Sequence, residues 1–204
     1  MKKLINSPDS YVDEALEGMR LAHLDGYKIS GSNGRIVERA KRKASGKVGI
    51  VSGGGFGHLP PFAGYVGEGL LDSCAAGHVF AGPSFDDVSE SLRAADFGGG
   101  VLSVIGNYGG DTMVFGMAND MLAAEGTDCA TVIVADDVAS APKDTASTRR
   151  GVAGMIFAFK IAGAAAEKGL KLEAVKSVTE KAMAGCRSIG VALSGCTVPQ
   201  AGEH

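Results

Sequence analysis

Three apolar runs constrain the fold more than anything else in this chain: VGIVS within 47–52, VLSVIG at 101–106 and ATVIVA at 130–135. Each has the length of a strand, and none alternates apolar with polar residues. A strand without that alternation is buried on both faces, which is the habit of parallel sheets covered by helices. HVFAG at 78–82 and SIGVAL at 188–193 read as two further strands of the same kind. Helical patterns separate the runs, as the crossovers of a parallel sheet require. The expected fold class is therefore α/β, a largely parallel sheet with helices on both faces. It forms one domain over residues 1–204, with no repeat and no linker.

The helices announce themselves by spacing and by their starts. Ser7-Pro8 opens one whose apolar face holds Val12, Leu16 and Met19, with proline where its missing N–H does no harm. Ser84 and Asp87 stand at capping-box spacing ahead of a helix that carries Phe85, Val88 and Leu92 on one face. The loop NYGGD leads into a third, with Val114, Ala118 and Met121. A long alanine-rich helix is expected over about 152–168 and another near 172–184.

Charge and composition exclude several classes of function. The net charge of −3 comes with no basic stripe, so no nucleic-acid footprint is expected. The longest apolar runs are far too short to cross a bilayer, and MKKLINSPDS lacks the apolar core of a signal peptide. Cys74, Cys129, Cys186 and Cys196 form no C-x-x-C pair, which reads as separate thiols in a reducing compartment and makes the cytoplasm the default location.

Open parallel sheets place ligands beyond the carboxyl ends of their strands, where neighbouring connections diverge. The loops 53–58, 106–111, 136–150 and 194–199 all leave such ends and are expected to converge. The first reads GGGFGH, four glycines among five residues and then one of four histidines in the chain. It fits neither G-x-G-x-x-G nor a P-loop, which disfavours a nucleotide site. The glycines alone are equally a tight strand-to-helix turn packed on a neighbour. His58 tilts the reading, because bare amides can hold the oxygens of a small polar ligand while a neutral imidazole takes or gives a proton near pH 7. Asp111 is either an N-cap, worth about 1 kcal/mol, or a carboxylate that accepts from a substrate hydroxyl.

The remaining candidates carry less. Asp136 and Asp137 are paired acids at a strand end, suited to capping or solvation before metal ligation. Arg149-Arg150 could face an anion at a helix N-terminus, though two arginines in a polar loop usually face solvent. His23 and His204 look incidental, and His78 structural. There is no G-x-S-x-G for acyl transfer. Residue chemistry alone thus reaches an α/β domain that binds a small neutral polar molecule.

GGGFGH with the proline pair after it, then IGNYGGD, ADDVA, RRGVAG and GCTVPQAG, together resemble the dihydroxyacetone kinase family, in the amino-terminal part of its substrate-binding subunit. The motifs follow in order along essentially the whole chain. The resemblance implies a kinase that phosphorylates dihydroxyacetone or a related short ketose. It implies that this chain binds no nucleotide or other cofactor, while a partner subunit or domain holds ATP or ADP with magnesium and passes the phosphoryl group in trans. Carried onto this chain, the backbone at Gly54 and Gly55 meets the sugar, His58 is the acid/base and Asp111 contacts a hydroxyl. The family's usual homodimer is the expected assembly.

Several features depart from the family. Its loop commonly reads GGGSGHEP, whereas Phe56 and Leu59 stand here for the serine and the glutamate, and Gly106 stands where a lysine often precedes the Asn-Tyr pair. These changes are expected to make the pocket less polar, which fits a different sugar or a non-catalytic, ketose-sensing paralogue that acts as a regulatory co-activator. The family also binds the ketose carbonyl covalently, through a histidine in a second lobe beyond GCTVPQAG. This chain reads to Glu203-His204, a few residues past that motif, so it is expected to be the first lobe of a longer protein and inactive alone. His204 belongs to no matching motif.

Overall fold

The computed structural model describes residues 4–41, 45–56 and 62–201. Its centre is a six-stranded sheet in the order β1-β2-β4-β3-β5-β6. The strands are β1 (Tyr27–Ser30), β2 (Ile36–Arg39), β3 (Gly49–Gly54), β4 (Ser73–Ala76), β5 (Val101–Gly106) and β6 (Cys129–Val134). β4, β3, β5 and β6 run parallel, while β1 and β2 are added antiparallel at one edge.

Five helices cover the sheet: α1 (Tyr11–Ala22), α2 (Phe85–Ala95), α3 (Gly109–Ala124), α4 (Met155–Glu167) and α5 (Leu172–Gly185). The buried residues fall into two clusters, one for each face. Ile50, Leu102 and Val104 pack with Leu16 of α1, Phe159 of α4 and Val175 of α5. Val51, Ala75 and Ile105 pack with Leu92 of α2 and Phe115 of α3. Neighbours such as Ile50 and Val51 therefore serve opposite faces, and that double burial is why their strands are apolar without alternation. α2 begins as its sequence directs: the Ser84 side chain accepts from the Asp87 N–H at 3.1 Å.

Two expected strands are not strands. Residues 78–82 form a turn, with the Ala81 N–H donating to His78 O at 3.2 Å and Phe80 at a left-handed φ of 58°. The fourth parallel strand is instead SCAA at 73–76, small residues with little strand preference that are fully buried between β2 and β3. Over 188–193, Ser188 alone pairs, in an isolated parallel bridge with Asp137, and Ile189, Val191 and Leu193 are exposed. Apolar composition marks a segment as able to be a strand, but pairing needs a neighbour. The antiparallel pair β1–β2 is the opposite case, a strand pair the sequence hides behind charge. Lys28 and Glu38 sit directly across from each other and form an ion pair.

Charge also collects at the amino ends of the parallel strands. Asp72, just before β4, is fully buried. It accepts from the Ile50 N–H at 2.9 Å, from Arg39 Nη1 at 3.1 Å and from Lys47 Nζ. Arg39 also donates to Glu167 at the end of α4, at 2.6 Å. That cluster ties β2, β3, β4 and α4 together.

Candidate functional site

The carboxyl ends of the strands hold a cavity of about 680 Å³, within the ordinary range for small-ligand sites. Its position follows from topology. After β3 the chain turns toward the face of α1, where Phe56 and Phe62 pack, while after β5 it enters α3 on the other face. Adjacent strands whose connections diverge in this way leave a crevice between them. Gly55 reaches the crevice from the end of β3, Phe80 and Gly82 from the turn after β4, Tyr108 from the loop after β5 and Asp111 from the first turn of α3. Gly151, Val152, Ala153, Met155 and Ile156 close it from the segment that starts α4.

Of the four loops expected to converge, the first reaches the cavity through Gly55 among its described residues, and the second through Tyr108, Gly110 and Asp111. The third, 136–150, stands behind the cavity, and the segment that follows it supplies the wall. Residues 194–199 take no part in the lining. His58 and Leu59 lie outside the described residues, so the acid/base assignment of His58 rests on sequence.

Asp111 is not an N-cap. α3 starts three residues earlier than a capping role would need, with Tyr108 in the cap position and Asp111 in the first turn. A carboxylate there is favoured by the helix's positive end. Its Oδ1 would lie 2.8 Å from a Cβ added at Gly82, so the carboxylate rests against bare backbone of the turn after β4.

Gly54 and Gly55 play different parts. Gly54 closes the β3–β4 ladder, its carbonyl accepting from the Gly77 N–H at 2.9 Å. A Cβ on it would fall 2.6 Å from the ring of Phe62, so its bareness lets that ring lie on the strand end. Gly55 lines the cavity itself.

The departures from the family pattern sort in the same way. Phe56 is buried at 3% exposure among core residues, edge-on to Tyr11 at 6.3 Å, and contributes nothing to the lining. Gly106 acts through its neighbour. A Cβ there would meet the Tyr108 ring at 2.9 Å and Met155 Sδ at 3.2 Å. Gly106 thereby lets Tyr108 fold back to form a wall, where its hydroxyl donates to Gly151 O at 2.9 Å. Burial, reinforced by Asp111, Asp136 and Asp137 and opposed by Arg150, raises the Tyr108 pKa, so the phenol stays neutral well past physiological pH.

Sequence reasoning missed the aromatic part of the site. Phe62 and Phe80 both line it, and among the described residues they are the two non-glycine residues at positive φ, 66° and 58°. Such backbone costs of order 1–3 kcal/mol per residue and persists where the surroundings enforce it, often at ligand sites. The breaker pair Gly82-Pro83 was a legible sign that 78–82 turns rather than extends. Nothing in the sequence pointed to Phe62.

The other charged candidates do not line the cavity and are engaged by partners within the chain, Arg150 from an exposed position. Arg149 is buried and donates from Nε to Ala141 O at 2.8 Å, and Arg150 pairs with Asp137 at 3.2 Å. Asp136 is buried and accepts from the Val152 and Gly154 backbone N–H groups just ahead of α4. Among the described residues no group of three or more His, Cys, Asp or Glu could hold a metal ion, and no helix is long and apolar enough to cross a membrane.

The fold and cleft define an α/β ligand-binding unit with its site at a switch point of the sheet. Residues 17–204 match the Dak1 domain, and the chain belongs to that family. It is 44% identical, over its whole length, to the dihydroxyacetone-binding subunit DhaK of PTS-dependent dihydroxyacetone kinase 1 from Listeria innocua, of which it spans 61%. It is 48% identical to an L-erythrulose kinase of Pectobacterium atrosepticum, again over its whole length but spanning 34% of that protein. The crystal structure of the dihydroxyacetone kinase of C. freundii superposes on all of it with a TM-score of 0.92 at 33% identity, and 37% of that chain is covered.

Proposed function

We propose that this chain is the ketose-binding lobe of a dihydroxyacetone kinase, which phosphorylates dihydroxyacetone or a related short ketose on a hydroxyl group. The observation that carries the reading is the placement of Asp111 and Gly55 on one cavity at the strands' carboxyl ends. Family membership and relatives named for dihydroxyacetone binding and erythrulose phosphorylation support a substrate of this class.

Phosphoryl transfer asks the acceptor side for positioning and a proton acceptor rather than covalent chemistry on phosphorus. In this reading Asp111 accepts a hydrogen bond from the reacting hydroxyl and His58 takes or gives the proton. Gly55 offers close backbone approach to the sugar, and Gly54 completes the glycine turn by seating Phe62. The chain binds no nucleotide. A separate subunit or domain carries ATP or ADP with magnesium and delivers the phosphoryl group, and the whole protein acts as a cytoplasmic homodimer. The chain spans less than two thirds of the relatives it matches. Residues 1–204 are accordingly read as one lobe, inactive by itself, with a second lobe bringing the histidine that binds the ketose carbonyl.

The test is phosphotransfer by the full-length protein with its nucleotide-binding partner, dihydroxyacetone and L-erythrulose being offered separately. Turnover of either, falling by about 100-fold or more in Asp111→Asn and His58→Ala, is expected of an acid/base pair. A full-length protein that binds ketose and transfers no phosphate would instead be the sensor.

A further inference from the structure

The wall of the cleft formed by 151–156 is held by a carboxylate that does not itself line the cavity. Asp136 follows β6 and is 1% exposed. Its Oδ1 accepts from the Val152 N–H at 2.9 Å, and its Oδ2 accepts from the Gly154 N–H at 2.7 Å and from the Ser188 hydroxyl. The surrounding backbone is bound on both sides. The Asp137 N–H donates to Arg150 O at 3.0 Å, while the Ser188 N–H donates to Asp136 O and the Val138 N–H to Ser188 O, both at 2.9 Å.

The turn is shaped to receive that carboxylate. A Cβ on Gly154 would fall 2.5 Å from Asp136 Cγ, so only a bare residue lets the group reach the amides. From the turn the connection continues into the site. Gly151 O accepts from the Tyr108 hydroxyl, and Tyr108 is the cap residue three positions before Asp111.

We propose that Asp136 is a positioning residue for the ligand cleft: by fixing the 150–154 turn it sets the wall against the ligand and, through Gly151 and Tyr108, the placement of Asp111. Three donors converge on one carboxylate, a demand that an ionised acid meets and an amide does not, because the NH₂ of asparagine faces an N–H. The inference rests on the ketose-kinase reading for its substrate and on the hydrogen bonds for its mechanism.

The experiment uses the full-length protein with its phosphoryl-donor partner. In Asp136→Asn the KM for the ketose is expected to rise about tenfold with the donor's KM unchanged, and amide exchange at Val152 and Gly154 to quicken about tenfold or more. Tyr108→Phe moves the ketose KM in the same direction, and the double variant gives less than the product of the two effects, because both act through Gly151. A folded Asp136→Asn protein with unchanged ketose KM overturns the proposal. So does an equal change in the constants of both substrates. Should Asp136→Asn fail to fold, Ser188→Ala decides: removing one donor is expected to raise the ketose KM about threefold, and no change overturns the proposal. If the wild type phosphorylates no short ketose, the kinase reading fails. Exchange at 152 and 154 in Asp136→Asn or Ser188→Ala then still decides whether Asp136 holds the turn.

Discussion

The two ends of the sheet both concentrate charge, and they use it in opposite ways. At the amino ends Asp72 is sealed from solvent with Arg39, Lys47 and a backbone amide around it, and Glu167 closes the cluster from α4. At the carboxyl ends Asp111 stands at a cavity walled by Phe62, Tyr65, Phe80 and Tyr108, beside the glycines of two turns. The first arrangement spends its charges on holding four elements together. The second keeps a carboxylate and bare backbone at a surface a ligand can reach, and it accepts strained backbone at Phe62 and Phe80 to build the walls. Charge alone therefore does not mark a site in this fold. The surroundings of the charge do.

Stability and activity should come apart along that division. Asp72→Ala leaves the buried Arg39 and Lys47 to share Glu167 alone, and breaking a buried pair costs about 3–5 kcal/mol. Urea unfolding should show that loss. Asp111→Asn should change stability by about 1 kcal/mol or less while abolishing most phosphotransfer. Equal destabilisation by the two variants would break the comparison.

Gly106→Ala should have an intermediate effect on both properties. Its methyl group enters the space of the Tyr108 ring, and overpacking of this kind costs about 1–3 kcal/mol. Since the ring forms a wall of the cleft, ketose affinity should fall with it. A variant with native stability and native affinity would mean that Tyr108 can leave its place without consequence.

The smallest effect belongs to the Tyr108 hydroxyl. Tyr108→Phe removes a hydrogen bond worth about 1 kcal/mol, and it should also change the alkaline limb of the stability profile. Burial raises the phenol's pKa above its ordinary value of 10.0, so the folded state resists deprotonation more than the unfolded chain does. The stability tied to the neutral phenol is fully present below pH 10 and is lost as pH rises through the raised folded value. The phenylalanine variant should lose less stability than the wild type over that range, as read from denaturant midpoints at successive pH values.

What the sequence made legible follows from the kind of constraint involved. VLSVIG is strand β5 residue for residue, because burial on both faces leaves no room for another pattern. The start of α2 was legible because Ser84 and Asp87 carry their own local chemistry. SCAA was hidden because its burial comes from neighbours distant in sequence, and SIGVAL misled because apolar residues do not supply a pairing partner. Within the site, the glycine turn and Asp111 were visible as motifs at a strand end. The aromatic walls were not, since Phe62 and Phe80 reach the cleft through left-handed backbone that no periodicity encodes. Phe56 misled in the other direction: a departure from a family motif was read as a change in the pocket, and the side chain belongs to the core.

The most direct test of the account is a crystal structure of the full-length protein soaked with dihydroxyacetone. The account predicts ketose density in the cleft, within hydrogen-bonding distance of Asp111 and against Gly55, with Tyr108 bounding it. Ketose bound away from Asp111, or a cleft empty at concentrations that saturate turnover, would contradict it.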